Sequence, residues 1–191
     1  MEGKRFDPAK LHKLNNPERL KELPVARILE LAKVERPEVI IDLGAGTGLF
    51  SIELAKIYPG SKIYACDISN IMINWMNEHI MMKYENIIPL RMEEYQVPLK
   101  DGIADFLLMI NLHHELDEPV KTLTECHRIL KPNGRLAISD WKKDRTEHGP
   151  PAEIRCDPGE IKEQLLNAGF NQINIHMEFV NNFLIAAEKV A

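Results

Sequence analysis

Val39-Ile40-Ile41-Asp42-Leu43-Gly44-Ala45-Gly46-Thr47-Gly48-Leu49-Phe50 is the stretch that decides the fold. An apolar run of strand character ends in an acidic residue and breaks into a loop with Gly at every second position. A segment of helix character follows, from Phe50 to Tyr58. Strand, glycine loop and helix is the arrangement in which a backbone lies against a nucleotide-like ligand. The glycines let the chain turn sharply and leave no Cβ between backbone and ligand. The helix N-terminus presents unpaired N–H groups at the same place.

The spacing discriminates between ligands. A dinucleotide fingerprint needs G-x-G-x-x-G. Gly44 and Gly46 fit it, but the last position is Leu49, and the third glycine is Gly48, one residue early. Asp42 stands two residues before the first glycine. A carboxylate there repels a pyrophosphate and suits a ligand carrying an ammonium group. No G-K-[ST] follows, which excludes a phosphate-binding P-loop. A nucleotide-binding dehydrogenase is disfavoured by Leu49.

Asp42-Leu43-Gly44-Ala45-Gly46-Thr47-Gly48 resembles the first motif of class I S-adenosylmethionine (SAM) dependent methyltransferases. The nearest branch is the type 11 group that includes ubiquinone- and menaquinone-biosynthesis methyltransferases. The resemblance covers Pro24 to the end; it is specific at the glycine loop and pattern-level elsewhere. It implies an α/β fold: a Rossmann-like, doubly wound, mostly parallel seven-stranded sheet. The implied strand order is 3-2-1-4-5-7-6, with the last strand antiparallel and helices on both faces. It also implies SAM as cofactor and S-adenosylhomocysteine as product. Cofactor contacts are then expected from Asp42, Gly44, Ala45, Gly46 and Gly48, from Asp67 and Ile68, from Met92, Glu93 and Glu94, and from Asn111.

Working outward, Lys62-Ile63-Tyr64-Ala65-Cys66-Asp67 reads as a strand ending in an acid roughly twenty residues after the glycine loop, where such folds hydrogen-bond a ribose. A carboxylate can accept from the 2′ and 3′ hydroxyls together. Asp67 could instead cap the following helix, a task open to Ser69 as well. Ser69 to Tyr84 reads as a helix whose methionines, Met72, Met76, Met81 and Met82, have core spacing. Asn86–Met92 is a short strand. By resemblance, an acid after it accepts from the adenine amino group; Glu93 is the first choice and Glu94 the alternative.

Ala104–Ile110 is an apolar strand leading to Asn111-Leu112-His113-His114-Glu115. A helix runs from Glu118 to Leu130, Lys131-Pro132-Asn133-Gly134 makes a turn, and Arg135–Asp140 is the next strand. Trp141 to Asp157 is polar and irregular, and segments of that length are commonly functional. A helix from Pro158, capped by Asp157 and stopped by Gly169, and two strands, Asn171–Phe179 and Asn182–Glu188, close the chain.

The ligand belongs at the carboxyl ends of the first four strands. The acceptor then falls to the loops after strands 4 and 5, which supply His113, His114, Glu115, Asp140 and Trp141, with Arg145, His148 and Arg155 beyond. His113 or His114 is the candidate general base, because imidazole titrates in the right range. Adjacent histidines on a loop point apart and no second cluster supports them, which argues against a metal. No Asn/Asp-Pro-Pro-aromatic motif follows strand 4, which argues against nucleic-acid amines as substrates. Cys66, Cys126 and Cys156 do not form the thiol trap that arsenite-methylating relatives use.

The 191 residues suggest a methyltransferase domain over 25–191 preceded by an N-terminal segment, 1–24, that is either a surface arm or a lid. A net charge of −5 argues against broad nucleic-acid binding. The longest apolar run, Phe106–Ile110, is too short to span a membrane. Three cysteines without CxxC spacing and a polar start lacking a signal core point to the cytoplasm. A small-molecule acceptor is the expected partner, and a homodimer is compatible with the chain. The alternative function is a SAM-binding sensor or partner subunit without its own turnover.

Overall fold

The structure, a computed structural model, describes residues 11, 13–144 and 149–190. Two short helices, α1 (Glu18–Glu22) and α2 (Val25–Leu31), precede the sheet. Then come β1 (Val39–Leu43), α3 (Leu49–Ile57), β2 (Lys62–Asp67), α4 (Asn70–His79) and β3 (Ile87–Arg91). The second half holds β4 (Ala104–Ile110), α5 (Pro119–Ile129), β5 (Leu130–Trp141), α6 (Pro158–Asn167), β6 (Asn171–His176) and β7 (Asn182–Glu188).

The strands form one seven-stranded sheet in the order β3-β2-β1-β4-β5-β7-β6. Pairings from β3 through β5 are parallel, and β7 runs antiparallel to both β5 and β6. This is the expected order and the expected reversed strand. Strand residues point alternately to opposite faces, and the core divides accordingly. Ile40, Ile63, Phe106 and Leu108 pack with Ile28, Leu29, Leu54 and Met76 from α2, α3 and α4. Ile41, Leu43, Leu107 and Met109 pack with Leu123, Ile129, Ile161 and Leu165 from α5 and α6. Both faces of β1 and β4 are therefore covered, which is why those strands read as unbroken apolar runs.

Several boundaries differ from expectation. α4 stops at His79, five residues short of Tyr84, so Met72 and Met76 are core while Met81 and Met82 are exposed. The Lys131–Gly134 turn exists as a shift of register inside β5, between the Ala104–Leu130 and Phe106–Arg135 pairs, with Asn133 at a left-handed φ of 63°. β6 ends at His176 rather than Phe179. Asp157 caps α6 as expected, in a reciprocal capping box with Glu160.

The strand order reverses between β1 and β4. Connections from β1 move outward to β2 and β3, and the chain returns to add β4 on the other side. A crevice opens at such a point, at the carboxyl ends of the strands.

Candidate functional site

Gly44 is the first residue past β1, with φ at 72°. Its N–H and that of Ala45 both donate to the Cys66 carbonyl, at 2.9 and 3.0 Å, stitching the loop to the end of β2. A Cβ at Gly44 would lie 2.6 Å from Leu112 Cδ2, so only glycine fits the space between loop and post-β4 turn. Gly46 turns the loop again and donates its N–H to Asp67 Oδ2 at 2.8 Å. Gly48, also left-handed at 76°, is the N-cap of α3.

The two expected acids sit at the ends of adjacent strands. Asp42 is buried and accepts from Ser51 Oγ at 2.5 Å. Burial pushes its carboxyl up to about 6, against the Ser51 hydroxyl and the Arg19 cation, which lower it, while Asp67 adds a smaller upward push. Asp67 accepts from Gly46 N–H on one oxygen and from Ser69 N–H on the other, both at 2.8 Å. Burial raises its pKa, while these backbone donors and Arg91 oppose the rise. Asp67 thus holds Ser69, the N-cap of α4, whose own side chain makes no capping hydrogen bond. Each carboxylate oxygen keeps a further lone pair for a diol. Ile68 is half-buried beside it.

Met92 follows β3, is buried, and donates its N–H to the Asp67 carbonyl at 3.1 Å. Glu93 pairs through its backbone with Gln96, and its side chain is exposed. Glu93 and Glu94 line a shallow groove with Tyr95, Gln96, Glu125 and Arg128, to which neither Asp42, Asp67 nor the glycines contribute. Met92 is therefore drawn to Asp67, and the two glutamates open toward a separate surface.

On the β4 side, Asn111 takes a left-handed φ of 53°, a sparsely populated conformation for a residue with a side chain. Its N–H donates to the Ser139 carbonyl at 2.8 Å, and its Oδ1 accepts from Asn182 Nδ2 at 2.7 Å. A 3-10 turn, His113–Glu115, buries both histidines. Asp140, fully buried at the end of β5, accepts from His114 Nδ1 at 2.7 Å and from the His114 and Trp141 N–H groups at 3.0 and 2.7 Å. A carboxylate only accepts, so the proton is assigned to Nδ1 and the lone pair to Nε2. Nε2 lies 3.8 Å from Glu115 Oε1.

Beyond this turn, Arg155 is buried and donates to the carbonyls of Lys142, Asp144 and Pro150, with Trp141 5.7 Å from its guanidinium. It ties the segment after β5 into a closed loop. Arg145 and His148 lie outside the described residues.

Four contributors to the site escaped sequence reasoning. Ser51 had a weak signal, a hydroxyl on the buried face of an apolar helix. Leu112 lies in the singled-out Asn111–Glu115 loop but carries no polar group to mark it, and Asn182 and Arg19 had no signal, because each comes from far along the chain.

A family model described as a methyltransferase domain matches residues 41–138. The chain is 29% identical over 115 residues to a malonyl-[acyl-carrier protein] O-methyltransferase of Geobacter sulfurreducens, a match spanning 59% of this chain and 43% of the relative. It is 25% identical to a demethylmenaquinone methyltransferase of Thermus thermophilus, over 60% of this chain and 52% of the relative. The chain thus spans about half the length of the curated relatives it matches or less. A crystal structure of a SAM-dependent methyltransferase from Aquifex aeolicus superposes with a TM-score of 0.91 at 33% identity, covering 97% of this chain and 100% of the other.

Proposed function

The chain belongs to the type 11 methyltransferase domain family, and from that premise we propose that it transfers a methyl group from SAM to a small-molecule acceptor. The observation that carries this reading is the pair of acids on adjoining strand ends. Asp42 is presented beside the glycine loop for an ammonium group, and Asp67 is tied to that loop through Gly46 N–H for a ribose diol. The glycine backbone between them suits the methionyl-adenosyl link of SAM. Ile68 and Met92 supply apolar surface for the base, while Glu93 and Glu94 line the neighbouring groove.

The chemistry asks little of the protein. An acceptor lone pair attacks the methyl carbon in line with the C–S bond. That bond breaks, its electrons remain on sulfur, and the sulfonium becomes the neutral thioether of S-adenosylhomocysteine. Positioning supplies much of the acceleration. Where the nucleophile carries a proton, His114 Nε2 receives it. Asp140 holds Nδ1 protonated and stabilises the imidazolium that forms. A sensor without turnover is disfavoured, since the similar proteins named above are methyltransferases.

Cys66, Cys126 and Cys156 remain thiols, and among the described residues no helix is long and apolar enough to cross a membrane. We place the protein in the cytoplasm on the thiols.

The test is incubation with methyl-labelled SAM and a panel of carboxylic acids, quinols, phenols and amines. Label transfer to one class, lost in Asp67→Ala, is expected. Binding of NAD without SAM would overturn the family reading of the loop. For the base, His114→Gln should remove the acidic limb of the pH–rate profile while leaving SAM binding intact; unchanged turnover in His114→Gln refutes that role.

A further inference from the structure

We propose that Arg19, carried by α1, receives the α-carboxylate of the cofactor's amino-acid half, so that the N-terminal arm and the glycine loop form a clamp selective for zwitterionic adenosyl ligands. This rests on the reading of the glycine loop as a SAM site. The arm is docked on the loop. Leu14 lies so close to Gly46 that a Cβ there would sit 3.0 Å from Leu14 Cδ1. Leu23 is buried and Leu20 packs against the core. Glu22 accepts from Asn181 Nδ2 at 3.4 Å, fastening the arm to the β6–β7 turn.

Arg19 stands 5.1 Å over the ring of Phe50, the neighbour of the Ser51 that holds Asp42. Asp42 and Arg19 are within electrostatic reach of one another, and Arg19 is the cation acting on Asp42. Among the described residues the guanidinium makes one hydrogen bond, from Nη1 to the Leu14 carbonyl at 2.9 Å. The rest of its fork is unspent, and its planar geometry matches a carboxylate. Burial depresses the Arg19 pKa despite Asp42 and Glu22, so the cation is short of compensating charge. An α-ammonium and an α-carboxylate branch from one carbon. With Asp42 taking the first, the second falls on the side where Arg19 waits. Lys21, on the same helix, is exposed and paired with Glu18 at 2.7 Å.

The discriminating ligands are S-adenosylhomocysteine, which has both charges, decarboxylated SAM, which keeps the ammonium and lacks the carboxylate, and 5′-methylthioadenosine, which lacks both. Calorimetry on the full chain should show Arg19→Gln weakening S-adenosylhomocysteine by roughly tenfold to a hundredfold, the range of a charge-assisted hydrogen bond. Decarboxylated SAM and 5′-methylthioadenosine should change less than about twofold, and Arg19→Lys should recover part of the loss. Trypsin cleavage within the arm should be slowed by S-adenosylhomocysteine and not by 5′-methylthioadenosine. Equal weakening of all three ligands in Arg19→Gln would overturn the proposal by making Arg19 a packing residue. No change with any of them would overturn it by removing Arg19 from the site. Failure of the unaltered chain to bind any of the three refutes the SAM reading itself, a result distinct from both.

Discussion

Asp42→Asn separates the folding cost of the site from its binding chemistry. Burial pushes the Asp42 carboxyl up from an ordinary 3.8 to about 6. A carboxyl with a raised folded pKa stabilises the fold at pH below its unfolded value and loses that contribution as pH rises through the folded value. The difference of about two pH units corresponds to ~3 kcal/mol of stability that is present at pH 4, fades between about pH 4 and 6, and is gone by pH 8. Asparagine fills the same space, keeps an oxygen for Ser51 Oγ, and does not ionise. Relative to the unaltered chain, Asp42→Asn should gain up to ~3 kcal/mol at pH 8 and nothing from this source at pH 4. For a chain of this length that is ~6–12 °C in melting temperature. The assay is urea or thermal unfolding without ligand at both pH values, beside SAM titration of the same samples. SAM affinity should fall by roughly tenfold or more, because a neutral amide replaces the partner of an ammonium group. SAM affinity of the unaltered chain should also fall below pH 6, since binding draws on the ionised acid. A stability change of the same size at pH 4 and pH 8 would refute the reasoning, since Asp42 would then act as a hydrogen-bond acceptor and not as a buried charge.

Asp67→Ala removes the acceptor for Gly46 and Ser69 N–H, so it should cost about 1–3 kcal/mol of stability and more than tenfold in SAM affinity by calorimetry; unchanged SAM affinity would sink the ribose assignment. Gly44→Ala drives a Cβ into Leu112 at a left-handed φ, and should cost roughly 1–3 kcal/mol in urea unfolding. Adding Leu112→Ala should return the steric part of that loss; an additive double variant would leave backbone strain as the whole effect. Arg155→Met leaves the carbonyls of Lys142, Asp144 and Pro150 without their donor. It should raise the KM for the acceptor and speed proteolysis of the segment after β5, with the Kd for SAM unchanged.

What was legible in the sequence follows how far apart the interacting residues lie. β1, β4 and the glycine loop were readable because local chemistry forces them: both-face burial makes an apolar run, and close turns require glycine. Asp67 could be singled out because it ends a strand about twenty positions after the loop; its hydrogen bond from Gly46, 21 positions away, is what the structure adds. The length of α4 was not, because the tertiary packing that ends it at His79 leaves Met81 and Met82 in solvent, and helical spacing alone cannot show that. Nor was the pairing of His114 with Asp140, 26 positions on and brought beside it by parallel pairing of β4 and β5.

The donor and acceptor sides differ in the same way. A methyl donor is one molecule, and a contiguous strand, loop and helix suffice to meet its charges and hydroxyls. The acceptor side is assembled from distant pairs. Asn111 meets Asn182 across 71 positions, and Arg155 closes the post-β5 segment on carbonyls as many as 13 positions away. Those contacts fix backbone shape, and most spend their polar groups on the protein itself. Lys142, the first cation after β5, is occupied by the carbonyls of Met177 and Phe179, and Arg155 by those of its own loop. Among the described residues, these two cations are thus engaged in holding the fold. On the proposed function, substitutions on the post-β4 and post-β5 turns should alter which acceptor is methylated without altering how SAM is held.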